Sequence, residues 1–135
     1  MNSKSEVRRR ERLTFAQRLH HPKDFERVYA AQQSVRAPNL LVFVCPNDLQ
    51  VARLGVSVSV KHGNAVRRNR IKRVLRAAFR QCRRLLPDGC DYILIPQKGV
   101  ASYTTASICK TLIAVAARIT ARAQKVAVCH EKYSP

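Results

Sequence analysis

The sequence predicts an α+β fold, a sheet covered by helices, and three observations carry that prediction. Short apolar runs of strand length alternate along the chain with longer stretches of 3.6-residue periodicity. The helical stretches carry apolar residues on one stripe only, so each has a face to bury. Hydrophobic residues make up 46% of 135 positions, enough for one core and too little chain for a second domain.

The elements follow in order. Residues 1–12 hold Lys4, Arg8, Arg9, Arg10 and Arg12 with almost no apolar content, and read as a flexible basic tail. Pro22 suits the first turn of a helix over 23–31, where Phe25, Val28 and Tyr29 share a face. Residues 40–45 (LLVFVC) read as a strand closed by the turn Pro46-Asn47-Asp48. In 51–60, Leu54, Val56, Val58 and Val60 alternate with polar or small residues, the pattern of a half-buried strand. The two strands are expected to pair as an antiparallel hairpin.

A turn at 61–64 leads into a long helix over 66–86. Ile71, Val74, Leu75, Ala78, Phe79, Cys82, Leu85 and Leu86 form its apolar stripe, and Pro87-Asp88-Gly89 stops it. Tyr92–Ile95 is continuously apolar, as a strand buried on both faces would be. A loop over 96–103 precedes the last helix, with Ile108, Leu112, Val115 and Ile119 on its stripe. That helix is expected to fray after Ala123. The expected organisation is a basic tail 1–12, a single domain 13–124 and a loose end 125–135.

Charge narrows the partner. Lys and Arg number 26 and Asp and Glu 8, so the formal charge is +18, which asks for a polyanion. No apolar run approaches a bilayer span, and no apolar stretch follows the N-terminal charges. The expectation is a cytoplasmic protein that binds nucleic acid, with no membrane partner. Ten of the basic residues fall within 61–84, without one Asp or Glu among them. On a helical wheel Lys72, Arg73, Arg76, Arg80, Arg83 and Arg84 lie opposite the apolar stripe. Like charges at i, i+4 repel, so a ridge of one sign makes physical sense when phosphates neutralise it. Arginine, whose planar fork grips phosphate or stacks on bases, suits folded RNA.

The search for catalysis returns little. The carboxylates are scattered, and Asp24 and Glu26 at i, i+2 do not face one another on a helix. No nucleophile triad or phosphate-binding glycine loop can be assembled. The five cysteines, at 45, 82, 90, 109 and 129, lack paired spacing and read as small buried hydrophobes. His20-His21 has no further ligand at metal spacing, so these two read as solvated or RNA-facing. Phe25, Tyr29 and Phe43 leave two readings open: core packing, or an open platform on which unpaired bases stack.

The run Lys61-His62-Gly63-Asn64-Ala65-Val66-Arg67-Arg68-Asn69-Arg70-Ile71-Lys72-Arg73-Val74-Leu75-Arg76 resembles the signature of the bacterial ribonuclease P protein family. Flanking segments agree: DFERVY at 24–29, RLGVSVS at 53–59 and DYILI at 91–95. The resemblance spans residues 12–120. It implies an α/β sandwich of four strands and three helices in the order αβββαβα, with a left-handed crossover. A short strand near Ser34–Arg36 supplies the fourth strand.

The resemblance also implies function. The protein subunit assists an RNA-catalysed endonuclease that removes the 5′ leader of precursor tRNA, with Mg²⁺ held mainly by the RNA partner and substrate. Arg67, Arg68, Asn69, Arg70, Lys72, Arg73, Arg76 and Arg80 correspond to the contact with the catalytic RNA, expected at one to one. Phe25, Tyr29 and Phe43, flanked by Lys61 and Lys98, correspond to a cleft for the single-stranded leader, which favours the platform reading. No catalytic residue is expected in the protein, and no protein partner is required. The chain departs from the family pattern at Val60 and Gln97, where positive charge is absent, at His62, usually apolar, and at Gln32, often glycine. The alternative is a general RNA-binding protein without preference for a leader.

Overall fold

The computed structural model describes residues 13–97 and 103–133, with side chains of the last helix described to Val126. The basic tail 1–12 therefore lies outside the described residues, as do most of the loop that follows Gln97 and the last two residues. After a single turn at Phe15–Gln17 comes helix α1 (Pro22–Ala30), then strands β1 (Ser34–Arg36), β2 (Leu40–Pro46) and β3 (Arg53–Val56). Helix α2 (Ala65–Cys82), strand β4 (Cys90–Pro96) and helix α3 (Thr105–Tyr133) complete the chain. The order is the expected αβββαβα, including the short strand at Ser34–Arg36.

The sheet runs β1-β2-β4-β3. β4 pairs antiparallel with β2, Phe43 opposite Ile93, and parallel with β3, Gly55 opposite Ile93. The expected β2–β3 hairpin is therefore absent, because β4 enters between its two strands. The apolar content of β4 explains this: Tyr92, Ile93 and Leu94 are fully buried and need cover on both faces, which only a central strand receives. β3 and β4 are parallel neighbours joined through α2.

Alternation along β2 divides the core. Leu40, Val42 and Val44 point to the layer of α2 and α3, where they join Leu75, Phe79, Ile108, Leu112 and Ile119. Phe43 and Cys45 point to the other face, toward Val28 of α1 and Ile93 of β4. A side chain the size of Leu contributes about 1.5–3 kcal/mol when fully buried, so the two-helix layer carries most of the stability.

Three boundaries differ from the sequence reading. β3 ends at Val56, not at residue 60; Ser57 N–H still donates to Leu94 O, and the chain then turns through a 3₁₀ turn at Val60–His62 that leaves Val60 exposed. α2 ends at Cys82, and 83–85 tighten into a 3₁₀ turn before Pro87. α3 continues to Tyr133, past the expected fraying point at Ala123, whose side chain is itself buried against the core.

Candidate nucleic-acid interface

The basic surface begins where α2 begins. Asn64 caps the helix, its side-chain oxygen accepting from Arg67 N–H at 2.9 Å. Gly63 before it has φ +122°, a conformation that favours glycine. This cap fixes the helix phase and so decides which residues face out. Ile71, Leu75, Ala78, Phe79 and Cys82 are buried, while Arg67, Asn69, Arg70, Arg73 and Arg84 are exposed. Arg68, Lys72, Arg76, Arg80 and Arg83 are half-buried, their stems covering the flanks of the helix. The ridge is thus present with half its members partly sunk.

No member of the ridge has an acidic partner among the described residues. The ion pairs there join Arg27 and Arg53 to Asp24 and Asp91. Arg68 Nε is buried without a hydrogen-bond partner among the described residues, a donor left for an acceptor that the protein does not supply. Burial lowers the pKa of Arg76, and the neighbouring charge of Arg18 lowers it further. A guanidinium keeps its charge even so.

The aromatic surface lies on the other side of the sheet. Tyr29 of α1 meets Phe43 of β2 edge to face, with ring centroids 5.0 Å apart. Phe25, one turn earlier, packs with Phe43 and Ile95 against the buried Leu19, Val28, Cys45 and Ile93. Phe25 and Phe43 are half-buried and Tyr29 is 36% exposed, so these rings are neither core nor free. Each packs on apolar neighbours and keeps part of its surface exposed.

The open face continues past Ile95 into a cleft of about 340 Å³ lined by Ser57, Ser59, His62, Ile95, Pro96 and Gln97. The His62 ring stands edge-on to Tyr103, at 5.9 Å, and Tyr103 O–H donates to Gln97 O. His62 therefore puts a polar ring in the cleft wall, set against Tyr103. Lys61 is exposed in the same turn as His62. Lys98 lies outside the described residues.

One group has no counterpart in the sequence reading. Asp91 is fully buried at the head of β4. Arg53 grips it with Nε at 2.7 Å and Nη2 at 2.7 Å, Arg27 of α1 donates to it, and Asn47 Nδ2 adds a bond of 2.8 Å. Arg53 also reaches Asp24 of α1 at 3.5 Å. This network ties α1 to the sheet and so sets where Phe25 and Tyr29 stand. An aspartate at the mouth of the apolar run YILI was the available signal.

Metal-binding chemistry is poorly supplied. Among the described residues no three His, Cys, Asp or Glu side chains gather at one point, and the Asp91 oxygens are already taken by Arg27, Arg53 and Asn47. The residues present do not fit a protein-held Mg²⁺. His21 caps α1, accepting from Lys23 N–H at 3.3 Å, while His20 stacks on Phe15. Cys45, Cys82 and Cys90 are buried free thiols and Cys109 is partly so, as the hydrophobe reading expects. Burial pushes the Cys90 thiol up to about 11, which leaves it inert at neutral pH.

Comparison with known proteins agrees with this geometry. The family model described as Ribonuclease P matches residues 13–120. The ribonuclease P protein component of Thermotoga petrophila is 35% identical over 91 residues, 67% of this chain and 78% of the relative. That of Nitrosococcus oceani is 34% identical over 101 residues, 74% of this chain and 84% of the relative. The RNase P protein structure from Staphylococcus aureus superposes with a TM-score of 0.66 at 34% identity, covering 77% of this chain and 97% of that one. The structure from Thermotoga maritima gives a TM-score of 0.68 at 29% identity, covering 76% and 96%. With the Arg68-Asn69-Arg70 ridge on one layer and the Phe25–Tyr29–Phe43 surface on the other, the chain belongs to the ribonuclease P protein family.

Proposed function

We propose that the chain serves its ribonucleoprotein by holding two RNAs on two surfaces. Its family supplies the protein subunit of ribonuclease P, the endoribonuclease of tRNA 5′-end maturation in which RNA is the catalyst, and the chain has that role. In our reading Arg67, Arg68, Asn69, Arg70, Lys72, Arg73, Arg76 and Arg80 neutralise phosphates of the catalytic RNA, one protein to one RNA. Phe25, Tyr29 and Phe43 stack unpaired bases of the precursor-tRNA leader, with Lys61 and Lys98 beside its phosphates. Mg²⁺ belongs to the RNA and substrate phosphates. The cytoplasm is the compartment we propose; no helix among the described residues is long and apolar enough to cross a membrane.

The observation that carries this reading is the separation of two unlike surfaces. The ridge offers guanidinium groups with no acidic partner among the described residues, chemistry for a folded phosphate backbone. The aromatic side offers half-open rings above a cleft, chemistry for single-stranded bases.

The test is precursor-tRNA cleavage by a bacterial ribonuclease P RNA at low Mg²⁺, with and without the protein. Stimulation is expected, lost in Arg68→Ala and Arg70→Ala through failed assembly. Phe25→Ala is expected to assemble normally and lose precursor affinity. The same defect in both classes would overturn the division of labour.

A further inference from the structure

The segment before α1 presents an aromatic stack that neither surface uses. Phe15 and His20 lie nearly parallel, with ring centroids 3.9 Å apart and planes inclined by 16°. The Phe15 ring is 78% exposed, the most exposed large hydrophobic side chain among the described residues. Leaving a phenyl ring in water is unfavourable, and His20 covers one face only.

The stack is built on a hydrogen-bonded turn. Gln17 N–H donates to Thr14 O at 3.0 Å, and the Gln17 side chain accepts from Thr14 N–H at 2.9 Å. Arg18 N–H donates to Phe15 O, and His20 Nε2 lies 3.0 Å from the same oxygen. Leu19 N–H donates to Leu54 O at 2.9 Å, which pins the segment along the free edge of β3. Leu13 is buried in the α2–α3 layer and Leu19 in the α1 layer, so the segment wraps that edge from one layer to the other. Both rings are thus held before any ligand arrives.

The surroundings are cationic. Arg18 follows the turn directly and is exposed, and Leu13 before the turn is buried in the layer of α2, which carries the ridge. An exposed guanidinium group with no carboxylate partner among the described residues makes a position for an anion. A flat apolar face beside such a position matches one chemical unit, a nucleobase with its own phosphate.

We infer that the Phe15–His20 stack is a further RNA-binding site, in which an unpaired base of the catalytic RNA stacks on the free face of Phe15 while Arg18 holds an adjoining phosphate. The inference rests on the ribonucleoprotein reading above. The catalytic RNA is chosen over the precursor leader because Leu13 anchors the segment in the layer of α2, the helix that carries the ridge. The site adds to that ridge a contact with a base, where the ridge contacts backbone.

The test uses the full chain with a bacterial ribonuclease P RNA. Phe15→Ala and His20→Ala are expected to weaken binding about 5- to 140-fold, the range of one lost stacking contact, with unchanged thermal unfolding. Phe15→Trp is expected to keep full affinity. A photoreactive phenylalanine at position 15 in the assembled holoenzyme is expected to crosslink to the catalytic RNA. Affinity within twofold for Phe15→Ala, while Arg68→Ala binds weakly, overturns the inference and leaves the proposed function standing. A crosslink to precursor tRNA overturns the chosen partner. If neither Phe15→Ala nor Arg68→Ala weakens binding, the inference and the proposed function fall together.

Discussion

The Phe25 ring occupies the space that a side chain at position 55 would need. A Cβ on Gly55 would stand 2.6 Å from Phe25 Cζ and 2.7 Å from Cε1. The glycine lies on β3, directly across from Ile93 of β4, on the face that α1 covers. It is required there for space: the ring comes down onto the sheet because the strand carries no side chain beneath it.

Gly55→Ala is therefore expected to move Phe25 off the sheet. Overpacking of this kind destabilises by about 1–3 kcal/mol. The displaced ring no longer aligns with Phe43, so precursor affinity falls while binding to the catalytic RNA holds. In a Phe25→Ala background the same substitution is expected to be nearly neutral. Chemical denaturation of the four proteins of this double-mutant cycle measures the coupling; additive effects would show that the two residues do not share the space.

Asp91→Ala removes the buried anion that two partly exposed arginines hold. Breaking a buried pair by deleting one partner costs about 3–5 kcal/mol, and the partial solvation of Arg27 places this case near the lower end. Because Arg27 and Arg53 tie α1 to the sheet, the loss is expected to loosen α1 first. Hydrogen exchange should then show faster opening in 22–30 than in α2. Uniform acceleration across the chain would mean the network supports the whole fold and has no special hold on α1.

How far the sequence could be read follows from the range of each interaction. The ridge was legible because a helix brings residues three and four apart together, so one segment contains its own evidence of charge and phase. The strand order was not, since adjacency of β2 and β3 in the chain favoured a hairpin that the apolar demands of β4 overrode. Asp91 was missed for a related reason: its arginines stand 64 and 38 residues away in the chain. For the aromatic trio, spacing left core and platform open. In the structure Phe25 and Phe43 pack against Leu19, Val28, Cys45 and Ile93 and stay half-buried, a degree of exposure that spacing alone does not encode.

Gln32 illustrates a departure with a structural reading. It follows α1 with φ +55°, in the left-handed region that favours glycine. A non-glycine residue there bears about 1–2 kcal/mol of strain, against roughly 0.5–1 kcal/mol of extra chain entropy for glycine. Gln32→Gly is therefore expected to stabilise by about 0.5–1 kcal/mol, read as a higher denaturation midpoint with an unchanged slope. A lower midpoint would mean that Gln32 makes contacts that outweigh its backbone strain.

The two surfaces should also respond differently to salt. A phosphate contact releases counterions, so each lost contact lowers the slope of log affinity against log salt by about 0.7–0.9. Arg70→Ala and Arg73→Ala, both exposed on the ridge, are expected to flatten that slope for the catalytic RNA by about one unit each. Phe25→Ala removes stacking and no charge, so its precursor affinity should fall by a similar factor at every salt concentration. Titrations between roughly 50 and 200 mM salt separate the cases. Unchanged slopes in the arginine variants would mean that these groups stay solvated in the complex. The phosphates would then have to be met by the half-buried Arg68, Arg76 and Arg80, whose stems already lie against the helix and whose side chains lose less freedom on binding.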